Sequence, residues 1–138
     1  MEPTATQVPT PQPTPDLTAY NTCLELVGPL LDELGELDSR LDIGLNYSEY
    51  GDLVADANVQ YDRIDFDQLG DNIGCLSDVG VPLEDALNFY TSAYRVWDDC
   101  IESPTCTNDS ITRNLQRKWA RAEGKVTAAR DGLRDLRP

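Results

Sequence analysis

The chain contains no histidine, and its nine glycines are scattered singly instead of clustering in a loop. Without histidine, Ser-His-Asp and Cys-His nucleophilic sites in their usual form are excluded. So are the Glu-x-x-His pairs of di-iron bundles. Without a glycine-rich loop there is no phosphate cradle. Long apolar runs are missing too, since each apolar stretch is interrupted within a few residues, which argues against a transmembrane span. No run of β-branched residues alternates with period two between turn residues, so strands are not expected. Positive charge is scarce: 11 Lys+Arg stand against 25 Asp+Glu, for a net charge of −14. A chain this acidic is repelled by nucleic acid, and no nucleic-acid partner is expected.

What is present begins with a proline-rich N-terminus. Residues 3–15 read PTATQVPTPQPTP, without a charge and with prolines at 3, 9, 11, 13 and 15. Proline removes backbone donors and favours an extended, solvated chain, so residues 1–14 are read as a tether and 15–138 as one domain. Its composition resembles the tethers of bacterial surface lipoproteins. The expectation that follows is an export signal or lipid-anchored residue preceding the spacer where Met1 now stands. Any membrane association would run through that anchor alone.

The remaining residues repeat at helical spacing. Leu17, Tyr20, Leu24, Val27, Leu31, Leu34, then Leu41 and Leu45 step by three and four, with Asp38 the one break, predicting a first helix over 15–43. Thr14 is its expected N-cap, Pro15 its first residue and Gly44 its end. Pro29 falls on the outer face, where a kink is expected. Ser48 is the expected N-cap of a second helix, on the stripe Tyr47, Tyr50, Val54, Ala57, Tyr61 and Ile64. The stripe then jumps phase to Phe66, Leu69, Ile73 and Leu76. One straight helix cannot turn both stripes to one core, so a break is predicted at 65–67, with a shorter helix to about Val79. Gly80 and Pro82 read as stop and restart signals.

Leu83, Leu87, Tyr90, Tyr94, Trp97 and Ile101 define a fourth helix. Ile111, Leu115, Trp119, Ala122, Val126, Ala129, Leu133 and Leu136 define a fifth. The fold class is therefore all-α: an antiparallel, up-down four-helix bundle whose second rod is broken, giving five helical segments.

Four cysteines with no C-x-x-C pair and no histidine do not make a zinc site, and they read as two disulfides. Cys23 lies about two turns above the start of the first helix, and Cys75 about one turn above the same end of the bundle. Cys100 and Cys106 bracket the loop at the opposite end. The pairing expected is Cys23–Cys75 and Cys100–Cys106, which places the domain in an oxidising, extracytoplasmic setting.

Charge is divided unevenly. Residues 1–106 carry a balance of −18 and residues 107–138 a balance of +4, which together make the −14. Arg113, Arg117, Arg121 and Lys125 form a strip on the last helix, read as an intramolecular partner for the acidic helices. Aligned from Asp65, the run D-F-D-Q-L-G fails as an EF-hand, because Leu69 and Leu76 stand where ligands should be. Asp65, Asp67 and Asp71 are therefore read as capping and solvated carboxylates.

Tyr90, Tyr94, Trp97 and Trp119 fall on seams and are read as core. Tyr47 and Tyr50, at the turn between the first two helices, are the candidate exposed contacts. No cofactor, no metal and no catalytic residue is expected. Function is expected to be a non-enzymatic, extracytoplasmic binding or structural module tethered to a cell surface. Its partner would be a protein, glycan or small ligand. The alternative reading is an acidic decoy that inhibits a basic nucleic-acid-binding protein.

Overall fold

The structure, a computed structural model, describes residues 16–138. The tether, Thr14 and Pro15 lie outside the described residues. Helix α1 spans Thr18–Ile43, α2 Tyr47–Asp62, α4 Val81–Glu102 and α5 Asn108–Asp135. Between α2 and α4 lie a 3-10 turn, Phe66–Leu69, a single turn α3, Ile73–Cys75, and a π-helical turn, Leu76–Gly80. There is no strand among the described residues. Each long helix packs on the next, and α5 closes the ring against α1. The all-α, disulfide-stapled bundle expected from the periodicity is the architecture observed.

The caps explain the helix ends. The Asp16 side chain accepts from the Thr18 N–H at 2.9 Å, so α1 starts three residues later than the proline suggested. Gly44 ends it with φ 121°, a left-handed value that favours glycine. Its N–H donates to Arg40 O at 2.9 Å. Asn46, not Ser48, caps α2: its side-chain oxygen accepts from the Glu49 N–H at 2.8 Å, and its amide donates back to the Glu49 carboxylate. Asn46 wins because it precedes the first helical residue, whereas Ser48 already sits inside the turn. Pro29 is exposed on the outer face, and α1 continues through it.

The core runs through all four rods. Val27, Leu30, Leu34 and Leu37 of α1 meet Val54 and Ala57 of α2, Leu83, Leu87 and Ala93 of α4, and Ala122, Val126 and Ala129 of α5. On α1 the buried face is rotated from the expected stripe. Cys23, Leu30 and Leu37 are buried, whereas Leu24 is 41% exposed. The tie from Cys23 to Cys75 turns that end of the helix inward on the cysteine side. Ile101, expected on the α4 seam, is exposed because Cys100 takes the inward position beside it.

The connection after α2 differs most from expectation. The break falls where the phase jump placed it, with α2 ending at Asp62. No independent third helix follows. Leu69 is buried, but Ile73 is 72% exposed and Phe66 rests on the Tyr61 ring at 5.6 Å. Nor do Gly80 and Pro82 stop the chain, since helical backbone is continuous from Ile73 to Glu102. A proline lacks the N–H an α-helix needs and crowds the carbonyl four residues back. The π turn sits immediately before Pro82, with the Val81 N–H bonded to Leu76 O five residues back, and so widens the helix where the ring would clash.

Both disulfides form as expected: Cys23–Cys75 joins α1 to α3, and Cys100–Cys106 closes the loop between α4 and α5. No cysteine is left free. Two disulfides and no free thiol in a small helical domain fit an oxidising compartment. Among the described residues no helix is long and apolar enough to cross a membrane.

Candidate functional site

The upper half of the bundle holds an aromatic cluster contributed by three helices. Helical spacing places Tyr47 and Tyr50 on one face of α2, Tyr90, Tyr94 and Trp97 on one face of α4, and Trp119 on α5. Trp97 and Trp119 meet edge to face at 6.3 Å between centroids, and Tyr50 meets Trp119 likewise at 5.7 Å.

The two candidate contact tyrosines separate here. Tyr50 is not exposed: it is fully buried, donating to Tyr90 O at 2.6 Å and accepting from Trp119 Nε1 at 3.0 Å. Its position near a loop was misleading, because the first turn of α2 already packs inside the ring of helices. Tyr47 is half-buried and stacks on Tyr94 with 5.5 Å between centroids. Its hydroxyl donates to the Asp98 carboxylate and shares a hydrogen bond with the Tyr94 hydroxyl at 3.0 Å. The bond to Asp98, above all, raises the Tyr47 phenol above its ordinary range, so it stays protonated.

Two recesses open on either side of Trp119. The first lies between α4 and the N-terminal half of α5, a pocket of about 170 Å³ lined by Trp97, Ile111, Leu115 and Trp119, with Asn108 and Thr112 as its polar residues. The cross-linked 100–106 loop leads directly into this part of α5. Both tryptophans, read from sequence as core, therefore also form a wall. Periodicity shows which face a ring is on, but not whether neighbours cover it completely.

The second recess lies between α1 and α5. It is a cleft of about 340 Å³ lined by Asp38, Leu41, Asp42, Gln116, Trp119, Ala120 and Glu123. Burial raises the Asp38 carboxyl above its ordinary value, and the nearby Glu123 and Asp42 raise it further, with Arg130 opposing. Sequence reading passed over Asp38 as a break in the stripe. The signal available was an acid at an inward-leaning position opposite another acid on the last helix.

Tyr90 on α4 is fully buried, and its hydroxyl has no hydrogen-bond partner. Burial raises this phenol as well, and the charged groups it senses are Asp38, Glu123 and Arg130.

The expected basic strip behaves differently from its reading. Of its four members only Lys125 pairs, with Asp85 at 3.3 Å, while Arg121 lies over the Phe89 ring at 6.0 Å. Arg113 and Arg117 are exposed and make no ion pair among the described residues.

The acidic run at 65–71 does not converge. Asp65 accepts from the Asp67 N–H at 3.1 Å and from the Gln68 amide at 2.9 Å, as a capping residue would. Among the described residues three carboxylates gather closely only at Asp98, Asp99 and Glu102, at the end of α4. There Asp98 is engaged by Tyr47, and the other two are exposed.

No protein-family model matches this chain, and no curated protein or solved structure is significantly similar to it.

Proposed function

We propose that the protein is a non-enzymatic, extracytoplasmic binding module, held off a cell surface by residues 1–14, whose ligand enters the pocket between Trp97 and Trp119. The pocket carries this reading: two tryptophan walls, two aliphatic side chains and a small polar rim. Apolar recesses with a few polar groups are the usual form of a ligand site. At about 170 Å³ it has room for one ring, the apolar face of a sugar or an aromatic group. Asn108 and Thr112 supply the polar orientation.

The disulfides and the proline-threonine segment support the extracytoplasmic half of the reading. They also weigh against the acidic decoy, whose nucleic-acid-binding targets lie in reducing compartments. The test is an NMR titration of the indole N–H signals with methyl β-glucoside and, separately, p-cresol. Saturable movement with either probe, lost on Ile111→Trp, which fills the pocket, supports the reading and identifies the ring class. Indole signals that stay fixed through 20 mM of both would overturn it.

A further inference from the structure

We propose that the groove around Phe89, between α4 and α5, docks an acidic segment of a partner protein. The carboxylates of that segment pair with Lys118 and Arg121, and one of its apolar side chains rests on the Phe89 ring. Two adjoining recesses, of about 370 Å³ and about 450 Å³, share Phe89 and Lys125 and so form one groove. Lys118 lines the first, while Arg121, Gly124 and Ala128 line the second. Asp85 is the sole acid in the lining. Three cations therefore face one carboxylate, a local balance of +2 on a chain of net −14.

Charge complementarity selects an acidic occupant. The chain has 25 Asp+Glu to offer, yet Lys118 and Arg121 make no ion pair among the described residues. Lys125 pairs with Asp85 at 3.3 Å, but both side chains are more than two-fifths exposed. Water already weakens that contact, so a second carboxylate can join it. Arg121 lies over the Phe89 ring, 6.0 Å from its centre, which brings its guanidinium to the groove. A guanidinium held against an aromatic face is pre-organised, and its planar fork matches the two oxygens of a carboxylate.

The shape of the groove selects a short peptide segment. Lys118 and Ala128 stand ten residues apart on α5, a rise of about 15 Å, which matches about four or five extended residues. Gly124 lies between them, and a Cβ built there would meet nothing within 4 Å. The absent side chain leaves room for a second backbone to approach α5 closely. A long polyanion or an anionic membrane fits less well. Charges beyond about 8 Å are screened at physiological ionic strength, so a short segment in the groove escapes the acidic helices. An extended anionic surface must meet them. Phe89 is also partly buried, too recessed to enter a bilayer.

Neither Phe89 nor any of the three cations lines the Trp97 pocket, so the two sites stand or fall separately. The test is a two-dimensional NMR titration of the full chain with the acetylated, amidated peptide EELEE, run beside its uncharged counterpart QQLQQ. Saturable movement of the Phe89 and Gly124 amides with EELEE is expected, with a Kd at least fivefold weaker in the Lys118→Gln, Arg121→Gln double variant. The Arg113→Gln, Arg117→Gln double variant loses the same charge outside the groove and is expected to bind as the parent chain does. Equal weakening in both double variants, equal movement with QQLQQ, or signals fixed through 10 mM EELEE would overturn the proposal. So would tighter binding to phosphatidylglycerol vesicles or to polyphosphate than to EELEE.

Discussion

The Trp119 indole N–H donates to the Tyr50 hydroxyl at 3.0 Å, and that hydroxyl in turn donates to Tyr90 O at 2.6 Å. One phenol thus ties α5, α2 and α4 together inside an apolar core, with both its donor and its acceptor capacity used. Tyr90, one helix away, has the opposite condition, with its hydroxyl equally buried but without a partner.

The contrast sets up a paired substitution. Tyr50→Phe leaves a buried indole N–H and a buried carbonyl unpaired, and is expected to cost about 1–3 kcal/mol. Tyr90→Phe removes a group that has no bond to lose, and is expected to be neutral or stabilising. Urea denaturation of both variants checks the pair, and equal losses at the two positions would contradict the hydrogen-bond assignments.

Gly132 on α5 faces the backbone of the π turn. A Cβ there would overlap the Asp78 carbonyl oxygen and lie 2.8 Å from its carbon. The α-helical donor to that carbonyl would be residue 82, and proline has none to offer. Backbone cannot swing aside as a side chain can, so Gly132→Ala is expected to destabilise by about 1–3 kcal/mol. Gly124, on the same helix, meets nothing within 4 Å. Gly124→Ala is expected to stabilise by up to about 1 kcal/mol, through helix propensity alone. Thermal melts of the two variants should move in opposite directions.

Much of this was legible beforehand. The α5 stripe survives almost intact, with Leu115, Ala122, Val126, Ala129 and Leu133 buried in the predicted phase. An uninterrupted amphipathic helix records its own orientation. The cysteine pairing was equally readable, since the rise per residue fixes height along a rod. The stretch from Arg63 to Val81 was not, because Gly80 and Pro82 are breakers only in a regular α-helix. A π turn absorbs them, and no local pattern announces one. The acidic cleft was hidden for another reason: Asp38 and Glu123 are 85 residues apart and meet only when α5 folds back on α1.

The disulfides should contribute unequally. Cys23–Cys75 closes a separation of 52 residues and Cys100–Cys106 one of 6. In the chain-entropy account the first contributes roughly 4 kcal/mol and the second roughly 2. Removing each pair as a double alanine variant and comparing denaturant midpoints checks the order.

Acidity should favour the fold through Asp38. The folded carboxyl is raised by burial, then by Glu123 and Asp42, above its ordinary value of 3.8. As pH rises past 3.8 the unfolded chain loses this proton first, so the native state loses stability until the folded group has also ionised. Asp38→Asn removes that loss. It is expected to raise the melting temperature at pH 7, with the advantage shrinking as pH falls below the folded value. An advantage that grows toward pH 3 would contradict the assignment.

Compartment bears most directly on the whole reading, because a tethered extracytoplasmic module needs both disulfides closed where it works. The deciding measurement is thiol trapping in the cells that make the protein. Cells are quenched in acid, the protein is denatured with a maleimide present, and adducts are mapped by mass spectrometry before and after reduction. No adduct before reduction is expected, and afterwards one each on Cys23, Cys75, Cys100 and Cys106. Maleimide on all four cysteines without reduction would contradict it.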